Sequence, residues 1–211
     1  MPAYSFPEYS FSTDWFSAYA PSWLAALDKL GIALDARRDV LEIGSFEGRS
    51  ACWISDNLLS HPNSTLTCVD TFCGSEDYGT MFSAVFKYAF PQLELRCRTN
   101  IAKSANGRKV RLTVEDSEIF LVAAMCGKRK YDLCYVDGGH HEEVAYADGR
   151  SCWELLRPGG LLIFDDYFWA PHFNYPVKRA VDRLERRLPM RLISDGWQRI
   201  YQKPSDIAAA A

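Results

Sequence analysis

Residues 39–50 have the sequence DVLEIGSFEGRS, which predicts a buried strand, a tight turn and the start of a helix. Residues 39–43 form a short apolar run, typical of a strand inside a parallel sheet. Gly44 permits a sharp turn and close approach of a ligand to the backbone, and Gly48 permits close packing where a helix over residues 49–59 begins. The free N–H groups of that helix would face the ligand.

The same alternation of short apolar runs and helical stretches continues along the chain and predicts a mainly parallel α/β sheet. Further strands are expected at residues 65–69, 109–114, 131–136 and 161–164, and a turn at Asp195-Gly196 joins two closing antiparallel strands, 191–194 and 197–202. Helices are expected at residues 15–30 (one, or two broken at Pro21), 81–90, from 91 onward, 119–126, 142–156 (ended by Pro158-Gly159-Gly160) and 177–188.

Composition narrows the class of protein. A chain of 211 residues with 48% hydrophobic residues suits one domain with a full core, and a net charge of −3 disfavours nucleic acid as a partner. The N-terminus lacks a signal-peptide pattern, and no run of 18 apolar residues indicates a membrane span. We expect an N-terminal helical cap at residues 1–36, a ligand-binding domain at 37–203 and a disordered tail at 204–211.

The seven cysteines favour a reducing, cytoplasmic location. Their number is odd, their spacing is scattered, and they include no C-x-x-C pair, so a zinc cluster or disulfide framework is disfavoured. Several lie in apolar runs, where a buried thiol is expected.

The turn after the first strand differs from a dinucleotide-binding loop. Phe46 occupies the place of the middle glycine in G-x-G-x-x-G, and the acid Glu42 precedes the turn. A pyrophosphate needs bare backbone and is repelled by a carboxylate, whereas a cationic ligand with an amino-acid end tolerates one. The pattern therefore favours S-adenosylmethionine, whose sulfonium is positive, over a nicotinamide dinucleotide.

Two further segments suit the nucleoside part of such a ligand. Asp70 ends the second strand, where an acid can accept hydrogen bonds from both ribose hydroxyls; a helix-capping or turn aspartate is the alternative. Residues 114–117, VEDS, place polar groups where an adenine ring would lie, although Asp116-Ser117 is also an ordinary helix N-cap.

Four motifs in this order resemble class I S-adenosylmethionine-dependent methyltransferases, and within these methyltransferase family 24. They are VLEIGSFEGRS (40–50), VDTF (69–72), YDLCYVDGGHH (131–141) and LLRPGGLLIFDDY (155–167), and the resemblance covers about residues 38–203. Related enzymes include the catechol, caffeoyl-CoA and macrocin-type O-methyltransferases. The resemblance implies a Rossmann-like seven-stranded sheet of order 3-2-1-4-5-7-6 with helices on both faces.

The resemblance also implies roles for residues around the cofactor. The methionine part would lie on Glu42 and the turn that includes Gly44, Ser45 and Gly48. The ribose would be held by Asp70, with Thr71 and Phe72 nearby. Asp116 and Ser117 would meet the adenine edge, and Asp137 would lie by the sulfonium.

The fourth and fifth strands end in acids. Asp137 follows the fourth strand, and Asp165 and Asp166 follow the fifth, so three carboxylates can meet in one crevice and hold a cation such as Mg²⁺. In the related enzymes an acid at each position binds Mg²⁺, although Asp-Asp also occurs in metal-free methyltransferases of this fold. His140 stands where the catechol enzymes have a basic lysine; it is a candidate base, or else it caps a helix or orients Asp137.

His141, next to His140, is expected to face solvent. Asp148 is also expected to face solvent, and a place in the crevice is the alternative for it. Aromatic residues crowd the segments expected to cover the site, and as a group they favour a small flat or apolar acceptor; packing or a dimer contact is the alternative for each. These are Tyr4, Phe6, Tyr9, Phe11, Trp15, Phe16, Phe72, Tyr78, Phe82, Tyr167, Phe168, Trp169, His172, Phe173 and Tyr175.

The sequence thus predicts O-methylation of a small hydroxylated metabolite, aromatic or sugar-containing, by a chain that binds neither nucleic acid nor membrane. The resemblance adds a homodimer as a possible state, because related enzymes are often dimers, but the sequence does not fix the oligomeric state. N- or C-methylation, and cofactor binding without methyl transfer, remain alternatives. A nicotinamide-dependent oxidoreductase is disfavoured, because the chain lacks G-x-G-x-x-G and a Tyr-x-x-x-Lys pair.

Overall fold

The computed structural model describes residues 8–74 and 92–205. Seven strands of these ranges form one sheet of order β3-β2-β1-β4-β5-β7-β6, as the resemblance implied. Strands β1 to β5 are parallel, and β7 runs antiparallel to both β5 and β6. The strands are β1 (Asp39–Ile43), β2 (Thr65–Asp70), β3 (Val110–Val114), β4 (Tyr131–Val136), β5 (Leu156–Phe164), β6 (Arg191–Ser194) and β7 (Arg199–Gln202).

Six helices of the described ranges cover the two faces of the sheet. Helices α1 to α3 pack on one apolar cluster, which includes Trp23, Ile54 and Ile101. Helices α4 to α6 pack on the other, which includes Phe120 and Trp153. The helices are α1 (Ala20–Lys29), α2 (Arg49–Leu58), α3 (Leu93–Lys103), α4 (Ser117–Cys126), α5 (Glu142–Leu155) and α6 (Pro176–Glu185).

Two proline-containing segments were left open or wrongly predicted from the sequence, and the structure decides both. Pro21 lies in the first turn of a single helix, α1, where its missing N–H breaks no helical hydrogen bond. Helix α5 ends at Leu155, and Pro158-Gly159-Gly160, expected to end that helix, lies inside β5. There the pairing with β4 shifts register, because this stretch cannot continue a regular ladder.

Some of the features predicted from the sequence lie outside the residues that the structure describes. The helix expected at residues 81–90 lies outside them, as do Tyr4, Phe6, Tyr78, Phe82 and the tail from residue 206. All seven cysteines lie inside them; each is unpaired, and five are buried as expected. No helix in the described part of the chain is long and apolar enough to cross a membrane. The proposed domain boundaries remain predictions.

Candidate active site

The turn after β1 is organised by Asp70. Gly44 and Phe46 both adopt positive φ, +84° and +49°. The Asp70 carboxylate accepts the backbone N–H groups of Ser45 at 2.7 Å and Phe46 at 2.8 Å through Oδ2. Its Oδ1 accepts the N–H of Phe72 at 2.6 Å. Asp70 therefore holds the turn in shape, which was the alternative to the ribose role, and the ribose role stays a prediction.

Glu42 lies fully buried beneath this turn. Its Oε2 accepts the Ser45 hydroxyl at 2.7 Å, and its Oε1 has no hydrogen-bond partner among residues 8–74 and 92–205. Burial raises the pKa of Glu42, and the neighbouring hydroxyl groups of Ser50 and Ser45 oppose that rise. A buried acceptor without a donor is costly, so this position suits a ligand that brings a cationic donor.

Glu47, inside the turn, has a role that the sequence analysis missed. Its carboxylate is 1% exposed, pairs with Arg96, and accepts the N–H and the hydroxyl of Ser12 at 2.6 and 2.7 Å. Burial raises the pKa of Glu47, but the bonds from Ser12 and Arg96 outweigh it and hold that pKa below its usual value. These bonds hold the N-terminal segment, through Ser12, against the turn. The sequence signal that could have indicated this role is the position of an acid between the two glycines of the turn.

At the predicted adenine edge, Asp116 caps α4. Its side chain accepts the N–H of Glu118 at 2.9 Å, and Ser117 is the first residue of that helix. The capping interpretation of Asp116 is therefore correct, which leaves its other oxygen and Ser117 as the groups for a ligand. Thr71, near the ribose position, accepts the N–H of Cys73 at 3.2 Å.

Asp148 is not the solvated helix residue that we expected, because α5 turns it inward beneath Gly138. It is 2% exposed, and its Oδ2 has no hydrogen-bond partner within the described ranges. The pKa of Asp148 is raised to about 6, mainly by burial. The Ser117 side chain opposes this rise, and the charges of Asp116 and Glu118 add to it.

The acids after β4 and β5 meet with His140 in the crevice. Candidate ligand atoms of Asp137, His140 and Asp166 all lie within 4.8 Å of one another. The His140 Nε2 is 2.8 Å from the Asp166 Oδ2, and the imidazole stacks on Trp169 with ring centroids 4.4 Å apart. Trp197 Nε1 donates to the other Asp166 oxygen at 3.0 Å. The crevice end thus holds one base and two acids in fixed orientations.

Asp165, predicted as a third metal ligand, is turned into the protein. It is 6% exposed; its Oδ2 accepts the Tyr135 phenol and the Gln198 amide, and its Oδ1 accepts the N–H of Asp166. Burial, then the Asp166 charge, raises the pKa of Asp165. Burial, then the charges of Asp165 and Asp166, raises that of Asp137. His140 therefore takes the place of Asp165 in the cluster that the structure brings together.

The donor atoms of the acid cluster suit a divalent cation, and the predicted aromatic cover is only partly exposed. Two carboxylates and one imidazole form a mixed oxygen and nitrogen donor set, which fits Mn²⁺ as well as Mg²⁺. Of the aromatic residues expected above the site, Phe16 and Tyr167 are buried in the core, so the packing alternative holds for them. Trp15, Phe168 and Phe173 are exposed, and Trp15 stacks on Phe46 of the turn at 4.9 Å.

This strand order, with a glycine turn after β1 and acids after β2, β4 and β5, defines the class I methyltransferase fold. A family model described as a methyltransferase domain, family 24, matches residues 41–167, and the chain belongs to this family. No curated protein matches it significantly.

Solved structures share the fold at low identity. One is the O-methyltransferase TomG from Streptomyces achromogenes, involved in tomaymycin synthesis and crystallised with S-adenosylmethionine: 17% identity, TM-score 0.62, covering 88% of this chain and 80% of TomG. Another is an O-methyltransferase from Bacillus cereus in complex with S-adenosylhomocysteine: 17% identity, TM-score 0.58, covering 94% of this chain and 84% of that protein.

Proposed function

We propose that the protein is an S-adenosylmethionine-dependent O-methyltransferase that acts on a small hydroxylated acceptor, aromatic or sugar-containing. The observation that carries the proposal is the turn after β1, organised by Asp70 and underlain by Glu42 with one oxygen lacking a donor among the described residues. The ammonium group of S-adenosylmethionine would supply the missing hydrogen-bond donor. The family and the cofactors bound by TomG and the Bacillus cereus enzyme support the same assignment.

The cofactor, when bound, supplies an electrophilic methyl group, and the protein has to align the acceptor with it. Holding two reactants in line is worth roughly 7–11 kcal/mol of barrier. The turn residues Gly44, Ser45 and Gly48, with Asp70, would hold the donor side. Asp137, His140 and Asp166 would hold the acceptor hydroxyl on the other side of the crevice.

His140 is the proposed base. The His140 Nε2–H faces the Asp166 Oδ2, 2.8 Å away, so the other ring nitrogen, Nδ1, would take the proton of an acceptor hydroxyl. The Asp166 carboxylate would then stabilise the imidazolium that results. Trp169 and Trp197 fix the imidazole and the carboxylate respectively.

We propose that a divalent cation, Mg²⁺ or Mn²⁺, assists the activation of the acceptor hydroxyl. Asp137, His140 and Asp166 would hold it, and the cation would lower the pKa of the acceptor hydroxyl. A histidine that ligates a cation through one ring nitrogen carries a proton on the other, so it cannot also act as the base. Metal assistance and histidine base catalysis are therefore alternative ways to activate the acceptor.

Two measurements test the proposal. Calorimetry with S-adenosylhomocysteine and with NAD⁺ should show binding of the first only; binding of NAD⁺ alone would overturn the cofactor assignment. Methyl release should then be measured over a panel of phenols and sugars, with and without EDTA. Turnover that EDTA abolishes supports the cation, turnover that resists EDTA supports His140 acting alone, and cofactor binding without any turnover would indicate a binding protein.

A further inference from the structure

A chain of buried polar side chains lies behind the acid cluster. Trp23 of α1 donates through Nε1 to the Gln198 Oε1 at 2.6 Å. The Gln198 Nε2 donates to Asp165 at 2.8 Å and to the Tyr135 hydroxyl at 3.2 Å. Trp23, Gln198 and Tyr135 are 1%, 3% and 0% exposed. Buried polar groups are costly unless paired, so these partners define each other's positions.

The Tyr135 hydroxyl lies between two carboxylates, and because a phenol has one proton it donates to one of them at a time. It hydrogen-bonds the Asp165 Oδ2 and lies 3.1 Å from the Asp137 Oδ2. Tyr135 lies in β4 and Asp137 is the first residue after that strand, so the same short stretch of backbone carries both side chains. One phenol on rigid backbone therefore sets the orientation of the acid in front of it, Asp137, and of the acid behind it, Asp165.

We infer that Tyr135, held by Gln198 and Trp23, is a positioning residue that aims the Asp137 carboxylate into the crevice. The inference rests on the proposed function, in which Asp137 serves the acceptor end of the site. It also gives α1 a part in the chemistry: Trp23 packs edge-on against the Tyr135 ring, with centroids 4.9 Å apart, although α1 contributes no group to the acid cluster.

A purely structural role for this hydrogen bond is the competing explanation, and the sheet contains a matched control. Tyr201 of β7 is also fully buried, and its hydroxyl donates to the Glu185 carboxylate at 2.7 Å. Glu185 ends α6 and belongs to neither the turn nor the acid cluster. Tyr201→Phe therefore removes the same oxygen and the same kind of bond elsewhere in the sheet.

The test compares Tyr135→Phe with Tyr201→Phe in the full chain. Urea unfolding measures what each lost bond costs in stability. Calorimetric titration with MnCl₂ and with S-adenosylhomocysteine, together with kcat and KM, measures the site. We expect Tyr135→Phe to weaken Mn²⁺ binding and lower kcat by about tenfold or more, the usual effect of losing a group that orients a ligand, with the affinity for S-adenosylhomocysteine unchanged. Tyr201→Phe should leave both affinities, kcat and KM unchanged.

Equal site behaviour of the two variants would overturn the inference, as would a crystal structure of Tyr135→Phe with Asp137 in its original orientation. If Tyr135→Phe does not fold, Gln198→Leu, which leaves the phenol but removes its anchor, should show the same loss in weaker form. Failure of the wild-type chain to bind S-adenosylhomocysteine would instead refute the proposed function, so the two failures are distinguishable.

Discussion

The main-chain oxygen of Asp137 lies 1.9 Å from the point where a Cβ atom on Gly44 would stand. The two residues follow neighbouring parallel strands, and the Asp137 N–H donates to the Ile43 carbonyl at 2.8 Å. Only a glycine permits this approach, which puts the turn proposed to hold the cofactor in direct contact with the segment that carries Asp137, the acid proposed for the acceptor side. The separation of the two halves of the crevice is therefore fixed by backbone packing.

Gly44→Ala should disrupt this contact, and Gly31→Ala is its control. Gly31 also has positive φ, +65°, but apart from its two chain neighbours no described residue has an atom within 4 Å of the point where its Cβ would stand. Gly31→Ala should cost only the left-handed backbone penalty of about 1–2 kcal/mol. Gly44→Ala adds a backbone clash, so its loss in urea unfolding should exceed about 3 kcal/mol. Equal losses would mean that the turn has room to move away from Asp137.

Asp70→Ala should weaken binding of S-adenosylhomocysteine by about tenfold or more, since a charge-assisted hydrogen bond contributes about 1.5–3 kcal/mol. Two backbone N–H groups, of Ser45 and Phe46, also lose their acceptor. Calorimetry gives the affinity, and thermal unfolding checks that the fold persists. Asp28→Ala, at an exposed acid on α1, is the control, and an affinity equal to that of this control would refute the role of Asp70.

Asp148→Asn should stabilise the ligand-free protein at neutral pH but not in acid. A carboxyl whose folded pKa is raised, here from 3.8 to about 6, keeps its proton in the folded state while the unfolded chain has lost it. The wild type therefore loses stability as pH rises from about 4 to 6, by roughly 3 kcal/mol. Urea unfolding at pH 3.5 and 7.5 measures this. A gain that is the same at both pH values would show that Asp148 titrates normally.

His140→Ala should lower kcat by roughly 10²–10⁴-fold if the imidazole is the base, with little change in the affinity for S-adenosylhomocysteine. The adjacent His141 is exposed, so His141→Ala is a control that changes the same residue type one position away. Steady-state kinetics of both variants, with and without Mg²⁺, decide the matter. Equal kcat values would place proton removal elsewhere.

The ends of the strands were predictable from the sequence, and the acids that follow β4 and β5 were therefore correctly expected around one crevice. It could not assign their partners. Asp165 and Asp166 are adjacent and equivalent in sequence, yet Asp165 faces Tyr135 and Gln198 inside the protein, while Asp166, with φ of +56°, pairs with His140. Gln198 lies 33 residues beyond Asp165 and meets it only because β7 pairs with β5. No local pattern carries that information.

By itself, the amino-acid sequence determined the alternation of strands and helices, the glycine turn after β1 and the positions of acids at strand ends. These depend on local periodicity and on the conformations open to single residues. Only the tertiary structure decided which acids face the crevice, that Asp148 is buried, and that Glu47 fastens the N-terminal segment across the turn. Burial and hydrogen bonding of a side chain depend on elements distant in sequence, and the packing of those elements sets the direction in which each carboxylate points.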